Sequence, residues 1–459
     1  VIARLATLTF VLCLSPFASV AVAQPRTVTL ADAVQMALDH HPSVARAHAS
    51  ESARRAAARA TEAALYPHVD LSLELHRGTG NVVPGTQLTL PGVPAVAGPP
   101  TATQFDSGAW GSGIGAAGSY DFGAIPRRER ERDAASASAD AQSAMTDVTS
   151  LDIARAVAEA YVAAVHASAQ RTAVAAWQER ATTLVRVTET LVAQELVAGA
   201  ENARATAELA AANTLAARAA QAELEALAAL SSAVGDPRAS LAVDPSLLGH
   251  TDSIVLRERA EHARERALRE ELRAAQLVRE ARGYAYLPQI QAVAALWARG
   301  SGLPAPSRAS DLGDAAGLLP NVPNWVLGGV ISFPVFDLPL LDARRDEASA
   351  AVEQAQAALD EETLALDALD AQASARVAGA REVARVAPEA VDAYRALLTQ
   401  TQARYESGLA TILDVVDAQR ALAQAELELV TAQAAVLEAL FALAYARDDL
   451  DALSGRTVH

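Results

Sequence analysis

Asp414 and Asp417 are the residues of this chain whose type and spacing come nearest to chemistry, six and nine residues after Gly408. Three-residue spacing sets both carboxylates on one helix face, a pattern that also describes an ordinary solvated surface. His40, His41 and His48 form the other cluster. Adjacent histidines on a helix point about 100° apart and rarely chelate one ion together, so no metal site is expected. No Walker A run, H-E-x-x-H, C-x-x-C or G-x-S-x-G is present. Catalysis therefore has no candidate residues, and no cofactor is implied. A third polar series, His68, Asp70, Ser72, Glu74 and His76, alternates with Val69, Leu71, Leu73 and Leu75.

That alternation has period two and predicts a half-buried strand over about 67–76. Three more are predicted over about 109–122, 288–297 and 324–336. Gly/Pro-rich loops separate each pair, from Arg77 to Gly108 and from about Gly300 to Pro323. Between the pairs the chain reads as Ala-rich helix. A first helix from Leu30 is interrupted at Pro42 and resumes to about Ala64. Long helices follow over 134–197 and 343–386, with Pro388 interrupting the second before it continues to Glu406. Return helices run over 201–234, 254–284 and 410–450. Glycine is expected at the reversals, Gly199 and Gly408, because positive φ is accessible there at little cost.

The chain says much the same thing twice, about 210–220 residues apart. Leu65-Tyr66-Pro67-His68-Val69 returns as Tyr286-Leu287-Pro288-Gln289-Ile290, and Ser119–Ala137 returns as Ser332–Ala350. The organisation reads as a signal peptide over 1–23, a first repeat over 24–235, a linker over 236–253, a second repeat over 254–450 and a tail over 451–459. Arg4, an apolar run to Val20 and Ala21-Val22-Ala23 carry the leader assignment. The only cysteine, Cys13, lies inside it, so neither a disulfide nor thiolate chemistry is expected. The net charge of −17 argues against nucleic acid as partner. Aromatic residues at 4% are few for a compact core of this size, which reads as an elongated molecule of closely approaching helices.

Each strand is about long enough to cross a bilayer when tilted. Backbone groups in hydrocarbon must all be paired, so four strands with open edges cannot stay there alone. Several chains closing one barrel together would solve this, and three would give twelve strands with room for a lumen. Val69, Leu71, Leu73 and Leu75 would then face lipid, and His68, Asp70, Ser72 and Glu74 would face the lumen.

Several motifs carry a family likeness. Leu30-Ala31-Asp32-Ala33-Val34 through His40-His41-Pro42 is similar to an N-terminal signature, with His41 where asparagine is usual. Ala64-Leu65-Tyr66-Pro67 and Ala285-Tyr286-Leu287-Pro288 are similar to paired entries into barrel strands. Phe333-Pro334-Val335-Phe336-Asp337 is similar to a barrel exit. The strongest run is Arg404-Tyr405-Glu406-Ser407-Gly408-Leu409-Ala410-Thr411-Ile412-Leu413-Asp414-Val415-Val416-Asp417. Together they resemble the TolC family of outer-membrane efflux proteins across the mature chain.

The resemblance implies a homotrimer in the outer membrane of a Gram-negative bacterium. Its fold class is mainly α with a small β part: a long antiparallel α-helical barrel in the periplasm and a twelve-stranded β-barrel in lipid. It also implies an adaptor protein, an inner-membrane pump of RND, ABC or MFS type, and passive export without an enzyme activity. Asp414 and Asp417 match positions at the periplasmic tip that form cation-binding acidic rings, and Tyr405 matches the gate. Ala410 replaces the arginine often found two residues after the glycine, and Ala205 stands where an acid is expected. Glu201, Asn202 and Arg204 are the candidate substitutes. Gly199, Ala200, Gly408, Leu409 and Ala410 are the expected hairpin tips that meet the adaptor. The alternative reading is a periplasmic or secreted coiled-coil tether with soluble hairpins.

Overall fold

The computed structural model describes residues 26–79, 108–195, 197–249, 254, 256–301, 317–333 and 335–454. The leader with Cys13 and most of the two Gly/Pro-rich loops lie outside these residues. The order helix, two strands, long helix, shorter helix occurs twice. In the first pass it runs α2 (Pro42–Ala63), β2 (His68–Thr79), β3 (Gly108–Asp121), α3 (Ile125–Ala193) and α4 (Gly199–Val234). In the second it runs α5 (Ala263–Gly283), β5 (Gln289–Ser301), β6 (Val322–Ser332), α6 (Leu338–Glu406) and α7 (Ile412–Ala446). Ahead of them stand β1 (Arg26–Thr27) and α1 (Leu30–His40). Short β4 (Leu241–Ala242) lies between the passes, and α8 (Leu450–Leu453) closes the chain. The matching long helices α3 and α6 are 69 residues each.

Several helix limits differ from the sequence reading. Helix α3 begins at Ile125 rather than 134, with Pro126 in the first turn, where its missing N–H has no helical partner to lose. The charged run Arg127–Asp133 thus lies in the helix. Pro388 does not interrupt α6. One absent hydrogen bond is tolerated in a long cooperative helix whose Val377, Val391 and Leu398 are buried on either side of it. Helix α5 starts at Ala263, not 254. Ile254 and Leu256 instead pack on a cluster of Ala373, Val377, Val436 and Leu440, and the Arg257 N–H donates to Asp449 Oδ2 at 2.9 Å. These contacts keep Ile254 and Leu256 out of the helix, and His262 with Glu265 forms a capping box at the true start. The second exit also differs, since Val335–Asp337 is a 3₁₀ turn rather than strand.

The described residues divide into two compact units that cut across the repeats. The first takes the chain up to Pro42, Leu151–Glu258 and the chain from Ala371. Its core is thin and aliphatic: Leu184 of α3, Ala205 of α4, Val391 and Leu398 of α6, and Ile412, Val415 and Leu422 of α7. β1 pairs parallel with β4, and the Tyr161 hydroxyl donates to the Val28 carbonyl at 3.1 Å.

The second unit, Ser43–Ser150 with Arg259–Asp370, carries the antiparallel sheet in the order β2-β3-β5-β6. Residues directly opposite one another in a sheet share a face. Leu71 stands opposite Ala116, Ala116 opposite Leu296, and Leu296 opposite Trp325. The same tracing joins Val69, Gly118, Ala294 and Leu327. Apart from Arg77, which lies over the Trp110 ring near the far end of β2, this face is uncharged, and it is bare: Leu71 is 85% exposed and Trp325 76%. The other face carries His68, Asp70, Ser72 and Glu74 beside the small residues Ser119, Ala117, Gly115 and Gly113. A side chain at Gly115 would meet Trp297 Cβ at 2.5 Å, which explains the glycine there. Strands β2 and β6 are the two edges.

Candidate functional site

The residues singled out near the two glycines lie at two helix reversals of the first unit. In the second reversal α6 ends at Glu406 and Gly408 takes φ 71°. The Leu409 N–H reaches the Arg404 carbonyl at 2.7 Å and the Gly408 N–H the Tyr405 carbonyl at 2.9 Å, the two bonds of a Schellman cap. Thr411 then caps α7. Its N–H and hydroxyl donate to Asp414 Oδ2 at 2.7 and 2.8 Å, and the Asp414 N–H donates back to Thr411 Oγ1 at 3.4 Å. These bonds, the backbone one first, hold the Asp414 carboxyl below the usual aspartate value. Asp414 therefore has a local structural task that the sequence reading missed, although [ST]-x-x-[DE] ahead of an apolar run is its recognised signal. Asp414 and Asp417 are both exposed, one turn apart.

The first reversal is built differently. Gly199 is not the residue with positive φ; Glu195 is, at φ 57°, and its N–H bonds to the Val192 carbonyl at 2.9 Å. Gly199 is simply the first residue of α4, with Ala200 following in the helix and Ala198 as a cap without a side-chain bond. The chain has already turned before the aligned glycine. Ala205, where an acid was expected, is fully buried against α7. An aspartate there would be a buried charge, whereas Asp414 in the other repeat stands in water.

The two reversals are joined. The Tyr405 hydroxyl donates to Glu201 Oε2 at 2.8 Å. Burial first, then that bond and the Glu201 charge, push the phenol up to about 12. Asn202 accepts from the Thr188 hydroxyl at 3.1 Å, a contact inside the first hairpin. Arg204 is exposed and has no partner among the described residues. Leu409 and Leu413 are bare at the turn, Leu409 70% exposed.

A second tie went unforeseen. Glu208 of α4, wholly buried, accepts from Arg420 Nε at 2.8 Å and Nη2 at 2.5 Å, linking α4 to α7. An acid inside the stripe Ala205, Glu208, Ala212 was the available signal, because that spacing faces the core. Glu208 Oε1 and Gln419 Oε1 are buried without a hydrogen-bond partner. Among the described residues no group of three or more metal-ligating side chains forms. His40 Nδ1 lies 3.1 Å from the Met36 carbonyl, and the His41 backbone packs on Gly235.

The outer membrane efflux protein family model matches residues 33–236 and 259–446. Solved structures of similar fold include the outer membrane protein VceC of Vibrio cholerae, 21% identical at TM-score 0.72, covering 91% of this chain and 96% of that one. The Neisseria gonorrhoeae MtrE outer membrane channel is 20% identical at TM-score 0.70, covering 92% and 89%. The Campylobacter jejuni CmeC outer membrane channel is 16% identical at TM-score 0.73, covering 92% and 85%. No curated protein matches the chain by sequence. With both helix–sheet–helix passes inside the matched segments, the chain belongs to the outer membrane efflux protein family.

Proposed function

We propose that this chain forms, as a homotrimer, the outer-membrane exit duct of a tripartite efflux or secretion system. The observation that carries the reading is the four-stranded sheet with one bare, apolar face, charged only at Arg77 near the far end of β2, and two edge strands. In hydrocarbon those edges must be paired, and three copies joined β6 to β2 would make a closed twelve-stranded barrel. His68, Asp70, Ser72 and Glu74 would then line its lumen. A groove of about 580 Å³ between α6 and α7, with Val383, Val386 and Tyr394 bare along it, offers the side on which a neighbouring copy would lie. Export is passive, and the chain supplies no chemistry of its own. The substrate, whether drug, metal or protein, is chosen by the RND, ABC or MFS-type pump and its adaptor.

In this reading the two reversals are the periplasmic end. Tyr405 and Glu201 hold it narrow, and Gly199, Ala200, Gly408, Leu409 and Ala410 present the surface for the adaptor. Asn202 and Arg204 flank the latch. Threefold repetition turns Asp414 and Asp417 into stacked acidic rings that concentrate cations.

Extraction tests the whole reading. The mature protein should leave the outer membrane only with detergent and run as a trimer that dissociates on heating. A water-soluble monomer would return the tether as the better account. The rings are tested in planar bilayers, where Asp417→Asn, which leaves the Thr411–Asp414 cap intact, should relieve block by divalent cations. Unaltered block in Asp417→Asn and in Asp414→Ala/Asp417→Ala would remove that assignment.

A further inference from the structure

A cavity of about 200 Å³ lies at the helix-side end of the sheet, walled by Arg127, Arg282 and Arg344 with Tyr284, Leu287 and Leu340. Arg127 comes from the first turn of α3, Arg282 from the last turn of α5 and Arg344 from the start of α6. Three arginines thus line one cavity where strands become helices, in a chain whose net charge is −17. Asp337 is the one acid of the lining. Arg282 and Arg344 have no ion-pair partner among the described residues, and Arg127 has only Glu131 at 3.9 Å. Helices α3 and α6 both begin at this wall and α5 ends there, so two positive helix ends are set against one negative end. Around it stand bare apolar side chains: Phe336 is 95% exposed, Val335 57%, Leu340 49% and Leu287 44%.

We propose that this cavity seats the phosphate of a phospholipid headgroup from the periplasmic leaflet, with the acyl chains lying along the bare apolar residues beside it. The inference rests on the outer-membrane reading, which puts this end of the sheet at the level of those headgroups. Guanidinium is the side chain best matched to phosphate, since its forked donors bind two oxygens together. Pockets for whole drug-sized molecules run to about 300–1,000 Å³, so this one suits a headgroup better than a transported molecule. The neighbouring apolar belt favours lipid over free phosphate, which would have no use for it.

Native mass spectrometry of the full-length protein in detergent, titrated with phosphatidylglycerol, tests the proposal. Arg282→Gln/Arg344→Gln should weaken lipid retention roughly thirtyfold, judged by the usual contribution of two arginines at a lipid surface. Arg376→Gln/Arg381→Gln, on α6 away from the cavity, should leave retention as it was. Equal retention by both variants, or by diacylglycerol lacking phosphate, overturns the proposal. Displacement of the lipid by millimolar inorganic phosphate, with no loss on shortening the acyl chains, also overturns it and makes the cavity a free-anion site. Circular dichroism of the cavity variant guards against misfolding, and Arg282→Lys/Arg344→Lys should recover part of the retention. Conductance of the unmodified protein is scored separately. A protein that conducts while its lipid count ignores the arginines sinks only this proposal, and one that never conducts sinks the channel reading.

Discussion

The two helix reversals occupy equivalent places in the repeat, yet they turn the chain by different means. At the second, Gly408 adopts the left-handed conformation and a Thr411–Asp414 box starts the next helix four residues later. At the first, Glu195 takes the left-handed conformation and the next helix starts at Gly199 itself. The second tip is therefore longer past its glycine and leaves an acid in water. The first, with an equally long connection placed wholly before its glycine, buries Ala205 at the matching place. Aligned residues in an internal repeat share ancestry and location without sharing a task.

The strongest way to probe this contrast is the tie that joins the two hairpins. Arg420→Ala leaves the buried Glu208 charge without its partner, and unfolding in denaturant should show a loss of about 3 kcal/mol. Glu208→Leu, which removes the charge as well, should cost clearly less. If the order were reversed, the pair would be holding the hairpins by attraction rather than by avoiding an orphaned charge. Next in size is one substitution made at both glycines. Gly408→Ala must hold a side chain at positive φ and should cost about 1–2 kcal/mol. Gly199→Ala has open space around it and should stabilise by up to about 1 kcal/mol. Equal effects at the two sites would erase the distinction drawn above.

Smaller effects separate the caps and the latch. Thr411→Ala should lose about 1 kcal/mol of stability. The Asp414 value is lowered in the fold, so its share of the cap is present above pH 3.8 and disappears as pH falls through the lower folded value. An acid titration of Asp414→Asn should lack that step. Tyr405 is raised, so its contribution is full below pH 10 and is lost as pH rises towards about 12. Conductance in planar bilayers should increase over that alkaline window, and Tyr405→Phe should already show the increase at neutral pH. A Tyr405→Phe channel indistinguishable from the parent would mean that Glu201 and Tyr405 touch without restraining the opening.

Much of the sheet was legible because alternation is a local property. Val69 to Leu75 could face one way only if the intervening His68 to Glu74 faced the other, and pairing merely aligned that pattern with Ala116, Leu296 and Trp325. Pro42 was legible for the same reason, since it ends α1 and opens α2 by its own chemistry. The latch was half legible: Tyr405 and Glu201 were both named, but 204 residues of chain separate them and only folding makes them partners.

What the residues determined by themselves was the two-fold plan, the strand faces and the places where the chain must turn, because period, proline and composition act within a few residues. Tertiary structure decided the rest. It chose Glu195 over Gly199 at the first turn, carried α6 through Pro388, kept Ile254 and Leu256 out of helix α5, and buried Glu208 against Arg420. At Pro388 the buried neighbours Val377, Val391 and Leu398 outweighed a local preference of about 3 kcal/mol, which is all that a single proline contributes.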